Sequence, residues 1–212
     1  MKKLFYLALI VTGTAFGQID LSAGMGINFS SFASLNDYIS SVNNQDLASF
    51  NSNVEFFGEA GYQIKNNFML GLDYSFSLYS YTNDFSGLGK FEFDYNLHSP
   101  TLMAYYVIKG EGYKFKLGGG AGIRYIVCEQ TLPQSTLSET YTATGFGALL
   151  KAEGNTALGQ NVFALIAFSL KMDFPGTPKN SGKAISYRQS GINEVDINSF
   201  TAGVRLGVMY TF

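Results

Sequence analysis

From Ile19 onward the chain alternates. Ile19, Leu21, Ala23, Met25, Ile27 and Phe29 are apolar, while Asp20, Ser22, Gly24, Gly26, Asn28 and Ser30 between them are small or polar. A period of two places each set on its own face of a strand. The same period recurs over residues 54–64, 68–78, 113–127, 146–152, 162–172 and 200–212. No charge falls on the apolar face of these segments. The other face carries Asp20, Glu55, Glu59, Asp73, Glu153 and Asp173 against Lys114, Lys116, Arg124, Lys151, Lys171 and Arg205. An eighth segment, 91–108, is less regular. Phe91, Phe93, Tyr95 and Leu97 keep one phase, Pro100 interrupts, and Leu102, Ala104, Tyr106 and Ile108 take the other. Proline donates nothing to a ladder, so a bulge or phase change is expected there.

The connections between these segments also alternate. Residues 31–52, 81–90, 129–142 and 174–195 form long polar stretches, and 65–67, 109–112 and 155–160 form short ones. Long outer loops and short turns at the other end are the rhythm of a membrane β-barrel. The bulky aromatics sit on the uncharged face and the glycines mostly on the charged one. An eight-stranded barrel is narrow inside, so the bulky face fits outward, against lipid. That facing also keeps Lys and Arg out of the hydrocarbon. The expected fold is therefore all-β: an eight-stranded antiparallel up-and-down transmembrane β-barrel.

Length, composition and the N-terminus refine this. A chain of 212 residues suits one domain. Lys2 and Lys3, the apolar run LFYLALIVTGTAF and then Ala15-Phe16-Gly17 have the layout of a secretory signal peptide. Residues 1–17 are read as that leader and 18–212 as the barrel domain. The mature chain would hold 12 basic and 16 acidic residues, a balance that argues against a nucleic-acid partner. The lone Cys128 excludes an internal disulfide or a cysteine-cluster metal site. No metal or cofactor is expected. The run KFKLGGGAGIRYIV (114–127) is glycine-rich, but a phosphate loop would open a helix, and this run is strand throughout. Its Gly118, Gly120 and Gly122 face the lumen, making room for larger neighbours.

Four stretches carry a family resemblance: GMGINFSSF (24–32), GEAGYQIKNNFMLGLDYSFS (58–77), KLGGGAGIRY (116–125) and VRLGVMYTF (204–212). With them the chain resembles the PorT-like outer-membrane β-barrel domain family and, more distantly, the small OmpA-, OmpX- and OmpW-like barrels. The family's Ile-Pro-Leu in the fourth strand stands here as Ser99-Pro100-Thr101. The resemblance implies residence in a bacterial outer membrane and no assigned chemistry. The ending, with Tyr210 and Phe212 after Leu206 and Val208, is similar to the signal read by the outer-membrane assembly machinery.

Candidate sites follow from the strands. Glu59, Asp73 and Arg205 count to mid-barrel depth, with Arg124 nearer the outside and Lys116 and Lys151 nearer the periplasm. Buried charges must be paired, so a cross-lumen network that closes the interior is expected; an ion path or gate is the sharper alternative. His98 and Ser99 are the one pair hinting at hydrolysis, as in lipid-modifying barrels. Adjacent strand residues point to opposite faces and no second histidine exists, so no catalytic residue is expected. Phe57, Phe163 and Leu165 on the inner face hint at an OmpW-like passage for small hydrophobic molecules. In the first long loop, Ser34 and Asp37 make a capping box, and Leu35, Tyr38, Ile39 and Val42 follow helical spacing. That loop is expected either as a short helix over the barrel mouth or lipid surface or as unstructured chain. Lys179, Lys183 and Arg188 in the last long loop could meet anionic lipopolysaccharide. The function expected is structural, adhesive or accessory, in a non-enzymatic monomer surrounded by outer-membrane lipid.

Overall fold

The computed structural model describes residues 18–43, 51–85, 89–133, 135, 137–188 and 192–212, and the leader expected at 1–17 lies outside them. Eight long strands account for most of these residues: β1 (Ile19–Ser31), β2 (Asn51–Lys65), β3 (Phe68–Phe85), β4 (Gly89–Gly110), β5 (Tyr113–Thr131), β6 (Glu139–Ala157), β7 (Val162–Phe174) and β12 (Ser199–Thr211). Each pairs antiparallel with its barrel neighbours, and β12 returns to β1, so the sheet closes on itself. Four short strands decorate the last long connection: β8 (Lys179–Asn180), β9 (Lys183–Ala184), β10 (Ser186–Arg188) and β11 (Ile192–Glu194). Helix α1 (Ala33–Asn43) follows β1.

The stagger of the ladder sets the shape. One row of directly opposed residues runs Gly154, Ile166, Leu206, Met25, Phe56, Phe76, His98, Tyr125 and back to β6 at Thr144, ten residues from its start. With ordinary strand rise and spacing, that shear in eight strands tilts them by roughly 40°. One residue then climbs about 2.5 Å along the barrel axis. Leu206 and Arg205, about six residues above the C-terminus, therefore lie roughly 15 Å up, near the middle of an apolar belt about 25 Å tall.

The two faces of the strands separate sharply. Leu21, Met25, Ile27, Leu72, Leu102, Ile123, Leu150, Ile166, Phe168, Val204 and Leu206 are all exposed on the outside. Tyr62, Phe68, Tyr106, Tyr113, Tyr210 and Phe212 ring the end with the short turns, and Phe29, Phe146, Phe174 and Tyr125 the other. Two aromatic girdles around an apolar band match a bilayer's two interfaces. Both termini of the barrel lie at the short-turn end, where the Phe212 amide donates to the Ile19 carbonyl at 2.8 Å.

The middle of β4 corrects one expectation. No bulge or register shift occurs at Pro100: Tyr74 opposes Pro100, and His98–Tyr125 and Thr101–Gly122 stay in one register. Every odd residue from Phe91 to Val107 points inward. The backbone keeps its phase, and the hydrophobicity of the interior is what changes. Below Ser99 in space the lumen holds charges; above it the lumen holds the apolar Phe91, Phe93, Tyr95 and Leu97. Pro100 faces outward and simply leaves out a hydrogen bond. A register shift does occur in the β2–β3 pair, between Gln63 and Lys65 beside the short turn.

The long connections are also more ordered than their polarity implied. β3 and β4 continue as a paired hairpin to Phe85 and Gly89, through most of the 81–90 stretch. Helix α1 sits in the mouth of the barrel. Its Leu35, Tyr38 and Ile39 are buried against Phe91, Phe93, Ile126 and Cys128 of the wall and Ile185, Val195 and Ile197 of the last loop. The expected capping box does not form. Ser34 lies inside the first turn, and its hydroxyl accepts the Asp196 amide at 3.2 Å. The Val42 side chain lies outside the described ones.

Glycines make the interior fit. A Cβ on Gly118 would stand 2.2 Å from the Tyr105 ring, and one on Gly120 2.5 Å from the Met103 sulfur. The triple-glycine stretch is the flat ground on which these two large luminal side chains lie.

Candidate functional site: the charged lumen

Among the described residues, the lower and middle lumen holds twelve Asp, Glu, Lys and Arg side chains, all buried and all in ion pairs. Strand alternation delivers them: each follows or precedes a lipid-facing residue, and the closed sheet has nowhere else to turn them. Nearest the short turns, Lys114 Nζ reaches Asp20 at 2.8 Å, and the Thr211 hydroxyl donates to the same carboxylate at 2.9 Å. Lys116 lies 2.8 Å from Glu153, 3.5 Å from Glu59 and 3.7 Å from Asp20. Lys151 bonds Glu59 and lies 3.2 Å from Glu153 and 3.3 Å from Asp73. The Tyr105 hydroxyl also donates to Glu59.

Arg205 is the hub of the middle layer. Its Nε donates to Glu55 at 2.6 Å and its Nη1 to Asp73 at 2.7 Å, while the guanidinium stacks 4.9 Å over the Phe57 ring. Lys171 bonds the other side of Glu55, which also accepts from Asn28 at 3.0 Å. Higher up, Arg124 pairs with Asp173 and donates to the Thr101 hydroxyl at 3.1 Å. Six acids balance six bases. Moving such groups out of water carries a penalty of several kcal/mol per ion, which only close pairing offsets.

Of the residues singled out in the sequence, the structure joins Glu59, Asp73, Lys116, Lys151 and Arg205 into one connected cluster. Arg124 stands apart with Asp173. Lys151, counted nearer the periplasm, extends far enough to touch Asp73 at mid-height. Six partners were visible only as polar-face residues: Asp20, Glu55, Lys114, Glu153, Lys171 and Asp173. Their shared face was the available signal; which acid meets which base depends on reach across the lumen, which spacing along a strand does not encode.

Above the charges lies the apolar storey already described. Where the two meet, among Asn28, Tyr95, Lys171 and Asp173, about 10 Å³ of space remains, room for one water at most. Phe57 and Leu165 pack with Ala167 and Met209, with Phe163 beside them, as one apolar cluster on the inner face.

The other candidates lie apart. Ser99 is buried inside, while His98 points outward, its Nδ1 2.7 Å from the Tyr74 hydroxyl and its ring beside Phe76 and Tyr125. The pair is split by the wall. His98 stands about 30 Å above the short turns, at the outer girdle. Tyr210 and Phe212 pack edge to face at 4.6 Å on the outer surface of the short-turn end. Lys179 and Lys183 are exposed on the β8–β9 hairpin, and the Arg188 side chain lies outside the described ones.

No family model and no curated protein matches the sequence. Solved structures do. Neisserial surface protein A matches with a TM-score of 0.56 at 17% identity, over 92% of this chain and 97% of that one. The fold is that of a small bacterial outer-membrane β-barrel. Ail, the attachment invasion locus protein of Yersinia pestis, matches at 0.54 with 16% identity, over 92% and 99% of the two chains. OprG, an outer-membrane protein of Pseudomonas aeruginosa, matches at 0.53 with 14% identity, over 94% and 98%. Barrels of this fold reside in the bacterial outer membrane, and the apolar belt with its two girdles is the surface that such a bilayer wets.

Proposed function

We propose that this barrel is a non-enzymatic outer-membrane protein with a closed lumen, acting through the surface it presents outside the cell. The observation that carries the reading is the pairing of all twelve luminal charges beneath an apolar plug that contains α1. Such an interior anchors the fold and leaves no wide water path. The separation of His98 from Ser99 supports the non-enzymatic part. Ail is named for attachment and invasion, and contact with an external surface is the same class of role. The stretches at 58–77 and 204–212 support placement among the PorT-like barrels. Residues 1–17 then serve as the export leader, Tyr210 and Phe212 as the signal to the assembly machinery, and Lys179, Lys183 and Arg188 as contacts to lipopolysaccharide around a monomer.

Planar-bilayer recording tests the closed lumen. The refolded barrel should add no steady current to the bare membrane. Stable open steps would contradict the reading and favour an ion path through the Arg205 layer.

A further inference from the structure

The outer wall carries a groove independent of the lumen. β2 and β3 pair only from Val54–Leu78 downward. Above that point β2 stays with β1 as far as Ser30–Asn51, and β3 rises with β4 to Phe85–Gly89. The divergence leaves a groove of about 850 Å³. Its floor is Ile27, Val54, Phe56 and Leu78, all exposed at the upper edge of the apolar belt. Its rim bears Asp94 and Glu129.

That rim is electrostatically odd. Asp94 and Glu129 stand directly opposite each other on the β4–β5 ladder, where like charges destabilise. The Asp94 Oδ1 is shielded from solvent and accepts no hydrogen bond. Among the described residues, no Lys, Arg or His lines the groove. Lys90 lies by Asp84 at 3.9 Å. From the charges and the floor together we infer that this groove binds a cationic amphiphile, its tail on Ile27, Val54, Phe56 and Leu78 and its ammonium group between Asp94 and Glu129. Depth agrees with this. The floor lies at the hydrocarbon edge and the carboxylates roughly 10–15 Å higher, in the headgroup layer.

Titration calorimetry on the barrel in phosphatidylcholine nanodiscs tests the site, with empty discs subtracted. The probes are dodecyltrimethylammonium and dodecyl sulfate, both below their micelle concentrations. The cation should bind saturably at one site, and the sulfate should show partitioning alone. The double variant Asp94→Asn/Glu129→Gln should weaken the cation about tenfold or more. Asp84→Asn, outside the groove, should change it by less than about twofold. Variants are confirmed as folded by their mobility shift on unboiled detergent gels. Equal binding of the two probes, or a double variant that binds as the parent does, overturns the site. Neither outcome bears on conductance, so the closed-lumen reading stands or falls separately.

Discussion

Arg205→Leu should lower the stability of the barrel by roughly 3–5 kcal/mol, the range for breaking a buried ion pair from one side. The side chain is fully buried and holds two carboxylates, Glu55 and Asp73, at once. Leucine leaves six luminal acids facing five bases. Lost packing on Phe57 adds to the effect. Urea unfolding in detergent micelles, followed by the gel mobility shift, measures it. The double variant Arg205→Leu/Asp73→Asn restores the charge balance and should recover part of the loss, because Glu55 keeps Lys171. A single variant that loses less than about 1 kcal/mol would mean that the pairs are as weak as surface ones.

Leu206→Lys, one residue along and facing the other way, should lose roughly 2–4 kcal/mol, the range for a cation on the lipid face at the bilayer midplane. Leu206 is 57% exposed in the bare barrel, so in water this substitution would be nearly neutral. Only a hydrocarbon surround makes it expensive. The same change at Leu132 or Leu137, exposed in the β5–β6 connection above the bilayer, should stay within about 0.5 kcal/mol. The contrast between the two places reads the position of the membrane without any probe molecule. Equal effects at Leu206 and Leu137 would remove the lipid belt from the account.

Much of this was legible from alternation. Where outside means lipid and inside means charge, as at Phe56–Glu55 or Leu206–Arg205, facing follows from chemistry alone. The reading failed where the inside stops being polar. At Phe91–Leu97 the inward set is as apolar as the outward set elsewhere, because α1 and the last loop cover it. A change of partner there looks like a change of phase. The helix itself was half visible, since Leu35, Tyr38 and Ile39 have helical spacing. Its place in the mouth was not, because the residues it meets lie on β4, β5 and the final loop, far away in sequence. The β3–β4 hairpin was hidden for a related reason: above the bilayer its outer face turns polar at Ser80, Thr82 and Asp84, and the hydrophobic period that marks a strand disappears.

Nuclear Overhauser contacts from lipid acyl-chain protons to the protein, measured on the methyl-labelled barrel in nanodiscs, address the facing of every strand in one experiment. Methyls of Ile166, Leu150, Val204, Leu206 and Val208 should show strong contacts to the chain methylenes, while those of Leu149, Leu165, Met69 and Met209 should show none. Acyl contacts at Leu165 and Met209, with Leu206 silent, would contradict the account.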